Sequence, residues 1–247
     1  MEILITNDDG YQAPGIHVLT ELMSQIGNVT VVAPDGPRSA QSNAITVINP
    51  LRMQKIKELD NIRIYSCTGT PTDCVKMAFH ELFSERNPDL IVSGINHGSN
   101  AAINVIYSGT MGAVLEGCEH GVKSIGFSLC DYVEDADFSH FAPYILDLTK
   151  KIIAMDVPEG TCFNINAPKG VIKGVRKVRQ CKARWEKEFE TRTDPQGRPY
   201  YWMTGVFVNL EPSATNTDEH ALSEGYISVV PTKIDMTDYD FMDKLEV

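Results

Sequence analysis

Residues 2–16 read Glu2-Ile3-Leu4-Ile5-Thr6-Asn7-Asp8-Asp9-Gly10-Tyr11-Gln12-Ala13-Pro14-Gly15-Ile16, and this stretch decides the fold. Glu2–Thr6 (EILIT) is a short, largely apolar strand. Pro14 suits the first turn of a helix, and Ile16, Val18, Leu19, Leu22, Met23 and Ile26 continue it until Gly27 stops the run. A strand leading through a polar turn into a helix opens a β-α-β unit. Within that turn stand two adjacent carboxylates, which repel one another and favour neither helix nor strand.

Outward from there the alternation continues. Asn28–Ala33 (NVTVVA) is a second strand, ended by the turn Pro34-Asp35-Gly36-Pro37. The polar loop Arg38–Asn43 leads to Ala44–Ile56, which reads as paired β segments broken at Asn49-Pro50. Ile62–Cys67 is a strand, Pro71–Phe83 a helix, and Asp89–Ser93 (DLIVS) a buried strand entering the loop Gly94–Tyr107. Gly109–His120 is a helix stopped by Gly121, Lys123–Leu129 a strand, Phe138–Met155 an amphipathic helix and Thr161–Asn166 a strand. Short apolar strands separated by helices predict parallel pairing with helices on both faces, an α/β/α sandwich over residues 1–170. After Pro168 the pattern changes to short β segments around Asp194-Pro195-Gln196-Gly197, with strands at Tyr200–Leu210 and Gly225–Pro231. Residues 171–247 therefore read as a β-rich hairpin and C-terminal arm, too thin in apolar residues for a core of its own.

With 247 residues, 43% hydrophobic and 22% charged, the composition is that of a soluble globular protein large enough to bury a core. The net charge of −11 argues against binding a nucleic-acid polymer through a basic surface. A small anionic ligand needs a metal or a helix end to offset the repulsion. Six cysteines at irregular spacing, without a C-x-x-C pair, read as free buried thiols. There is no basic segment followed by a long apolar run and no candidate membrane span, so the expected location is the cytoplasm.

In a doubly wound sheet the ligand crevice lies at the carboxyl ends of the strands. Asp8 and Asp9 stand at one such end, and at low dielectric each raises the other's pKa unless a cation lies between them. A divalent metal is the simplest such cation. The loop Arg38–Asn43 follows strand two and by itself reads as polar surface. Ser93–Asn100 holds two glycines that imply close backbone approach, with Asn96 as a neutral oxygen donor and His97 as an ordinary loop histidine. Ser108-Gly109-Thr110 opens a helix, where one hydroxyl caps the end and free N–H groups form a phosphate site. Asp, Ser and Asn oxygens without paired His or Cys suit a hard cation, Mg²⁺ or Mn²⁺. Beside an anion pocket, that combination fits phosphate-ester chemistry.

The blocks ILITNDDGYQAPGI, APDGPRSAQSNAIT, CTGTPTDCV, SGINHGSNAAINVIYSGTMGAVLEG, FNINAP and GYISVVP together resemble the SurE (stationary-phase survival protein) family, in register along nearly the whole chain. The resemblance implies a Rossmann-like core and a 5′-nucleotidase that also acts on 3′-monophosphates and short polyphosphate. It implies one Mg²⁺ or Mn²⁺ per subunit, held by Asp8, Asp9, Ser39 and Asn96, with the substrate phosphate near Asn43, Ser108, Gly109 and Thr110. Asp8 or Asp9 then serves catalysis as a proton acceptor, direct attack being weakened if both bind metal. Members form dimers, some paired into tetramers, through an exchanged C-terminal arm. Where members commonly carry a glycine after the loop serine, this chain has Ala40, which a position needing positive φ does not accept freely. Two other functions compete: a non-catalytic metal- and nucleotide-binding regulatory module, and a dinucleotide-dependent oxidoreductase. The second lacks G-x-G-x-x-G after strand one, where the carboxylates would repel a pyrophosphate.

Overall fold

The computed structural model describes residues 1–133 and 135–246. Its first part runs β1 (Glu2–Thr6), α1 (Pro14–Ser24), β2 (Asn28–Pro34), β3 (Met53–Leu59), β4 (Ile62–Cys67), α2 (Pro71–Glu81), β5 (Leu90–His97), a 3₁₀ turn (Ala102–Ile106), α3 (Gly109–Glu119), β6 (Lys123–Leu129), α4 (Ala142–Ala154) and β7 (Thr161–Ala167). The rest holds β8 (Val175–Lys177), β9 (Ala183–Glu186), β10 (Phe189–Thr193), β11 (Pro199–Met203), β12 (Val206–Asn209), α5 (Asp218–Ser223), β13 (Ile227–Lys233) and α6 (Tyr239–Met242).

Nine strands form the central sheet in the order β3-β4-β2-β1-β5-β6-β7-β13-β8. β4, β2, β1, β5, β6 and β7 are mutually parallel, while β3 and β13 run antiparallel to their neighbours β4 and β7. β1 shows why the sheet is covered on both faces. Ile3 and Ile5 pack in a cluster with Ile16, Leu19 and Met23 of α1 and Phe141-side residues Ile145, Leu148 and Ile152 of α4. Leu4, on the opposite face, packs with Val75, Ala78 and Phe79 of α2 and Ala113 of α3. Alternate side chains of one strand thus enter two cores, the geometry of a Rossmann-like three-layer sandwich.

From β1 the chain first builds outward through β2 and β4, then restarts on the other side of β1 with β5, β6 and β7. The strand order therefore reverses between β1 and β5, and the loops leaving their carboxyl ends splay apart into a crevice. β1 and β5 are in register from Ile3↔Leu90 to Thr6↔Ser93, so the segments after Thr6 and Ser93 emerge side by side.

Three readings from the sequence need correction. Residues 44–52 form no strand; only β3, from Met53, pairs within the segment Ala44–Ile56. β5 runs on to His97, past the glycine that was read as its end, with a register slip against β6 between Ser93 and Asn96. Tyr200–Leu210 is two strands: β11 pairs with β10 and β12 pairs with β9, each as a separate antiparallel ribbon. β8 and β13 join the central sheet from beyond residue 170. All six cysteines are free, and no described helix is long and apolar enough to cross a membrane.

Candidate active site

The turn after β1 is built by its own side chains. Asn7 closes it, its Oδ1 accepting from the Gly10 N–H (3.1 Å) and its Nδ2 donating to the Gly10 carbonyl (2.9 Å). That Asx turn leaves Asp8 and Asp9 projecting at the switch point. Asp8 is 4% exposed. Its Oδ1 accepts a 2.6 Å hydrogen bond from the Thr110 hydroxyl, and its backbone carbonyl accepts the Arg38 N–H at 2.6 Å.

α3 brings its N-terminus to the same point. Ser108 caps it, its Oγ accepting from the Met111 N–H at 3.0 Å. Gly109 is required by the approach: a Cβ there would lie 2.8 Å from Asp8 Cβ and 3.1 Å from Asp8 Oδ2. The positive end of a helix dipole therefore abuts a carboxylate.

Burial pushes the Asp8 carboxyl up to about 6; the Thr110 hydrogen bond opposes this and the charge of Asp9 adds to it. Burial also raises Asp9, against the lowering influence of His97 beside it. Asp9 Oδ2 is buried with no hydrogen-bond partner. Asn96 spends its amide on the Gly98 carbonyl (2.9 Å), which turns its oxygen into the end available to a ligand. Two carboxylates raised by burial and the amide oxygen of Asn96 form a donor set that suits a hard divalent cation.

Asp8, Ser39, Asn96 and Ser108 line one cavity of about 530 Å³. Asp9, Gly109 and Thr110 are not among the residues that line it, although Gly109 and Thr110 touch Asp8. Asn43 is exposed and faces a neighbouring cavity of about 190 Å³. Its Oδ1 would lie 2.9 Å from a Cβ on Gly112, one turn into α3. The loop serine is followed by Ala40 at φ +59°, so the position does adopt the left-handed conformation.

The same cavity is also lined by the aromatic and apolar side chains of Tyr107, Tyr132, Trp185 and Met203, together with Glu188 and Thr204. Trp185, from β9 of the C-terminal region, is fixed by an Nε1 hydrogen bond to Asn104 Oδ1 (2.9 Å) and an edge contact with Phe207.

Sequence reasoning set His97 aside, yet it lines this cavity, its Nδ1 3.1 Å from the Val133 carbonyl and its ring edge-on to Phe138. It also missed the polar struts under the loop. Asn166 Oδ1 accepts the Asn100 N–H (2.8 Å), Asn164 Nδ2 donates to the Asn100 carbonyl (2.8 Å), and Asn100 Nδ2 donates to Ser128 Oγ (2.9 Å). Two asparagines at alternate positions of a buried strand, as in FNINAP, were the available signal. Asp218, fully buried, accepts the N–H groups of Ala102 (2.8 Å) and Cys181 (2.9 Å), tying the C-terminal region to the cavity rim.

Among the described residues one trio of ligand-type side chains lies elsewhere: Glu116, Glu119 and His120, towards the far end of α3. Glu116 is already paired with Lys76 Nζ at 2.6 Å and lies 3.3 Å from His120 Nε2.

Fold and site together define a doubly wound α/β enzyme with an acidic centre at the switch point of its sheet. The family described as "Survival protein SurE" matches residues 3–187, and the chain belongs to the SurE family. A 5′-nucleotidase SurE from Christiangramia forsetii is 51% identical over 248 residues, covering 98% of this chain and 95% of that protein. A 5′-nucleotidase SurE from Phocaeicola vulgatus is 46% identical over 245 residues, covering 99% and 95%. The crystal structure of the SurE protein from Aquifex aeolicus matches with a TM-score of 0.84 at 35% identity, covering 99% of this chain and 98% of that one.

Proposed function

We propose that this protein is a divalent-metal-dependent phosphomonoesterase that hydrolyses nucleoside 5′-monophosphates, and also 3′-monophosphates and short polyphosphate. One observation carries the reading: buried Asp8, hydrogen-bonded to Thr110 at the start of α3, lines one cavity together with the oxygen-bearing Ser39, Asn96 and Ser108 and the aromatic Tyr107, Tyr132 and Trp185. The oxygen-bearing groups suit a cation and an anion, and the aromatic ones a flat apolar group.

One Mg²⁺ or Mn²⁺ per subunit is held by Asp8, Asp9, Ser39 and Asn96. When bound, such an ion polarises a phosphoryl oxygen and acidifies a water. The residues do the rest. The N–H groups of Gly109 and Thr110, with Asn43 on the flank, hold the phosphate and stabilise charge that develops on its equatorial oxygens. Thr110 fixes the rotamer of Asp8. Asp9, whose Oδ2 lacks a partner, accepts the proton of the attacking water. The nucleobase and ribose lie against the aromatic side chains of the cavity, where Trp185 is already immobilised and loses little freedom on binding.

The hairpin β10–β11 exposes Phe189, Tyr201, Trp202 and Met203, each more than half accessible, which supports self-association into a dimer or tetramer through the C-terminal arm. The enzyme is assigned to the cytoplasm.

Phosphate release from a panel of mononucleotides, with Mg²⁺ or Mn²⁺ and with EDTA, tests the reading. Release that needs the metal is expected. Turnover that survives EDTA removes the metal from the proposal, and no release from any nucleotide removes the activity.

A further inference from the structure

Residues 38–46 carry Ser39 and Asn43, yet none of them is buried and none belongs to a helix or strand. The segment also contains two non-glycine residues in the left-handed region, Ala40 at φ +59° and Ser42 at φ +51°. Such a conformation persists only when the surroundings over-determine it. Hydrophobic packing does not supply that here, so hydrogen bonds must.

They come in three groups. The Arg38 N–H donates to the Asp8 carbonyl at 2.6 Å. Ser42 donates its N–H to the Tyr107 carbonyl (3.1 Å) and its hydroxyl to the Ile106 carbonyl (2.6 Å). The third group comes from the start of α2. There Thr70 and Asp73 form a reciprocal capping box, Thr70 Oγ1 accepting from the Asp73 N–H (3.1 Å) and Asp73 Oδ2 from the Thr70 N–H (2.9 Å). A capping box needs only those two bonds.

The same side chains make three more, all outward. Thr70 Oγ1 donates to the Ala44 carbonyl at 2.7 Å. Asp73 Oδ1 accepts the Thr46 N–H at 3.0 Å, and Oδ2 accepts the Thr46 hydroxyl at 2.6 Å. Thr70-Pro71-Thr72-Asp73, a motif to which no role had been given, therefore grips the chain immediately after Asn43.

We propose that the α2 capping box is a clamp on the Ser39–Asn43 loop, with Thr46 and Asp73 as positioning residues that hold Ser39 at the cation site. The proposal rests on the reading of Ser39 as a metal ligand. Arg38 is held at one backbone point, and Ser42 reaches the Ile106 and Tyr107 carbonyls only while its φ stays left-handed. The clamp on Ala44 and Thr46 maintains that φ from the far side; without it Ser42 relaxes and lets go, Ala40 relaxes with it, and Ser39 leaves the cavity wall.

The test is calorimetric titration of Mn²⁺ into metal-free protein, alongside steady-state kinetics and thermal unfolding, for Thr46→Val, Thr46→Ser, Asp73→Asn and Ser39→Ala. Thr46→Val keeps the capping box and lies outside the regular structure. It is expected to weaken Mn²⁺ binding about tenfold, the weight of one hydrogen bond to a charged group. KM for a nucleoside monophosphate should rise, with kcat at saturating Mn²⁺ within about twofold and the melting temperature lower by no more than a few degrees. Thr46→Ser, which retains the hydroxyl, should restore Mn²⁺ affinity. Asp73→Asn should weaken binding further while also lowering the melting temperature through the lost cap. A merely structural role for Thr46 would move the melting temperature and leave Mn²⁺ affinity alone. Wild-type affinity and KM in Thr46→Val overturn the clamp. Wild-type affinity in Ser39→Ala overturns instead the ligand assignment beneath it.

Discussion

α3 approaches Asp8 too closely for a side chain at its first residue, and Gly109→Ala tests that contact. The added methyl would stand 2.8 Å from Asp8 Cβ, 3.1 Å from Oδ2 and 3.3 Å from Cγ. Carbon pairs rest at about 3.5–4.0 Å, so the two groups must part by roughly 0.7–1.2 Å. Asp8 has little room to yield: Thr110 holds its side chain and Arg38 its carbonyl, each at 2.6 Å. Overpacking of this kind costs about 1–3 kcal/mol, and alanine's better helix propensity returns up to about 1 kcal/mol. The net effect on stability is thus about 0–3 kcal/mol, a melting temperature lower by no more than roughly 12 °C. Catalysis is more sensitive. A displacement near 1 Å in a reacting geometry costs on the order of 100-fold, and kcat/KM for a nucleoside 5′-monophosphate should fall by about that factor. Phosphate release at saturating Mn²⁺ gives the rate, and calorimetry or dye-monitored melting gives the stability. Wild-type kcat/KM in a variant that melts within about a degree of the parent would refute the argument, because the α3–Asp8 contact would then carry no catalytic geometry.

Asp8→Asn keeps the shape and removes the charge, so Mn²⁺ binding should be lost in titration calorimetry, with kcat/KM down by about 1,000-fold or more and the circular dichroism spectrum unchanged. Thr110→Val removes the donor to Asp8; a hydrogen bond to a charged group is worth about 1.5–3 kcal/mol, which predicts a roughly 10- to 100-fold loss in kcat/KM that Thr110→Ser largely restores. Glu219, beside buried Asp218, is pushed up to about 7 from 4.5, by burial first and then by the charge of Asp218. An acid whose folded-state pKa is raised contributes stability below about 4.5 that is lost as pH climbs through about 7. Glu219→Gln should therefore melt higher than the parent at pH 8 and equally at pH 4, by at most about 3 kcal/mol in melts run with EDTA.

What the sequence made legible was local. Glu2–Thr6, Ile62–Cys67 and Lys123–Leu129 coincide with strands of the structure residue for residue, because each is an apolar run bounded by its own turn or cap. Ala44–Ile56 was misread for a physical reason. Its Ile-Thr-Val-Ile pattern has β propensity, but that propensity expresses packing, and Ile48 here is 90% exposed. The backbone of Ala44 and Thr46 bonds instead to the side chains of Thr70 and Asp73, an alternative to a sheet ladder that no periodicity announces. In the site, Asp8-Asp9 and Ser108-Gly109-Thr110 stood out because adjacent charges and a helix start are visible in a few residues. Asn166 under Asn100, 66 positions away, and Asp218 under Ala102, 116 away, act only through the completed fold. The demotion of His97 has the same origin: its place beside Asp9 depends on β1 and β5 being neighbours.

The charge pattern also constrains the order of events. Two aspartates and a phosphomonoester dianion bring four negative charges into a crevice of a protein already at −11. The α3 dipole offsets roughly half a charge, and only over its first turn. Left alone, that arrangement repels its substrate, and Asp8, pushed up to about 6 by burial first and by the charge of Asp9 after it, is already a costly anion. On the proposed assignment, a divalent ion held by Asp8 and Asp9 would change the sign of the field beside the phosphate. Metal and nucleotide binding would then be linked, and linkage is reciprocal: each would raise the affinity for the other by the same factor. The adjacent carboxylates, awkward in an unliganded turn, would be what couples the two.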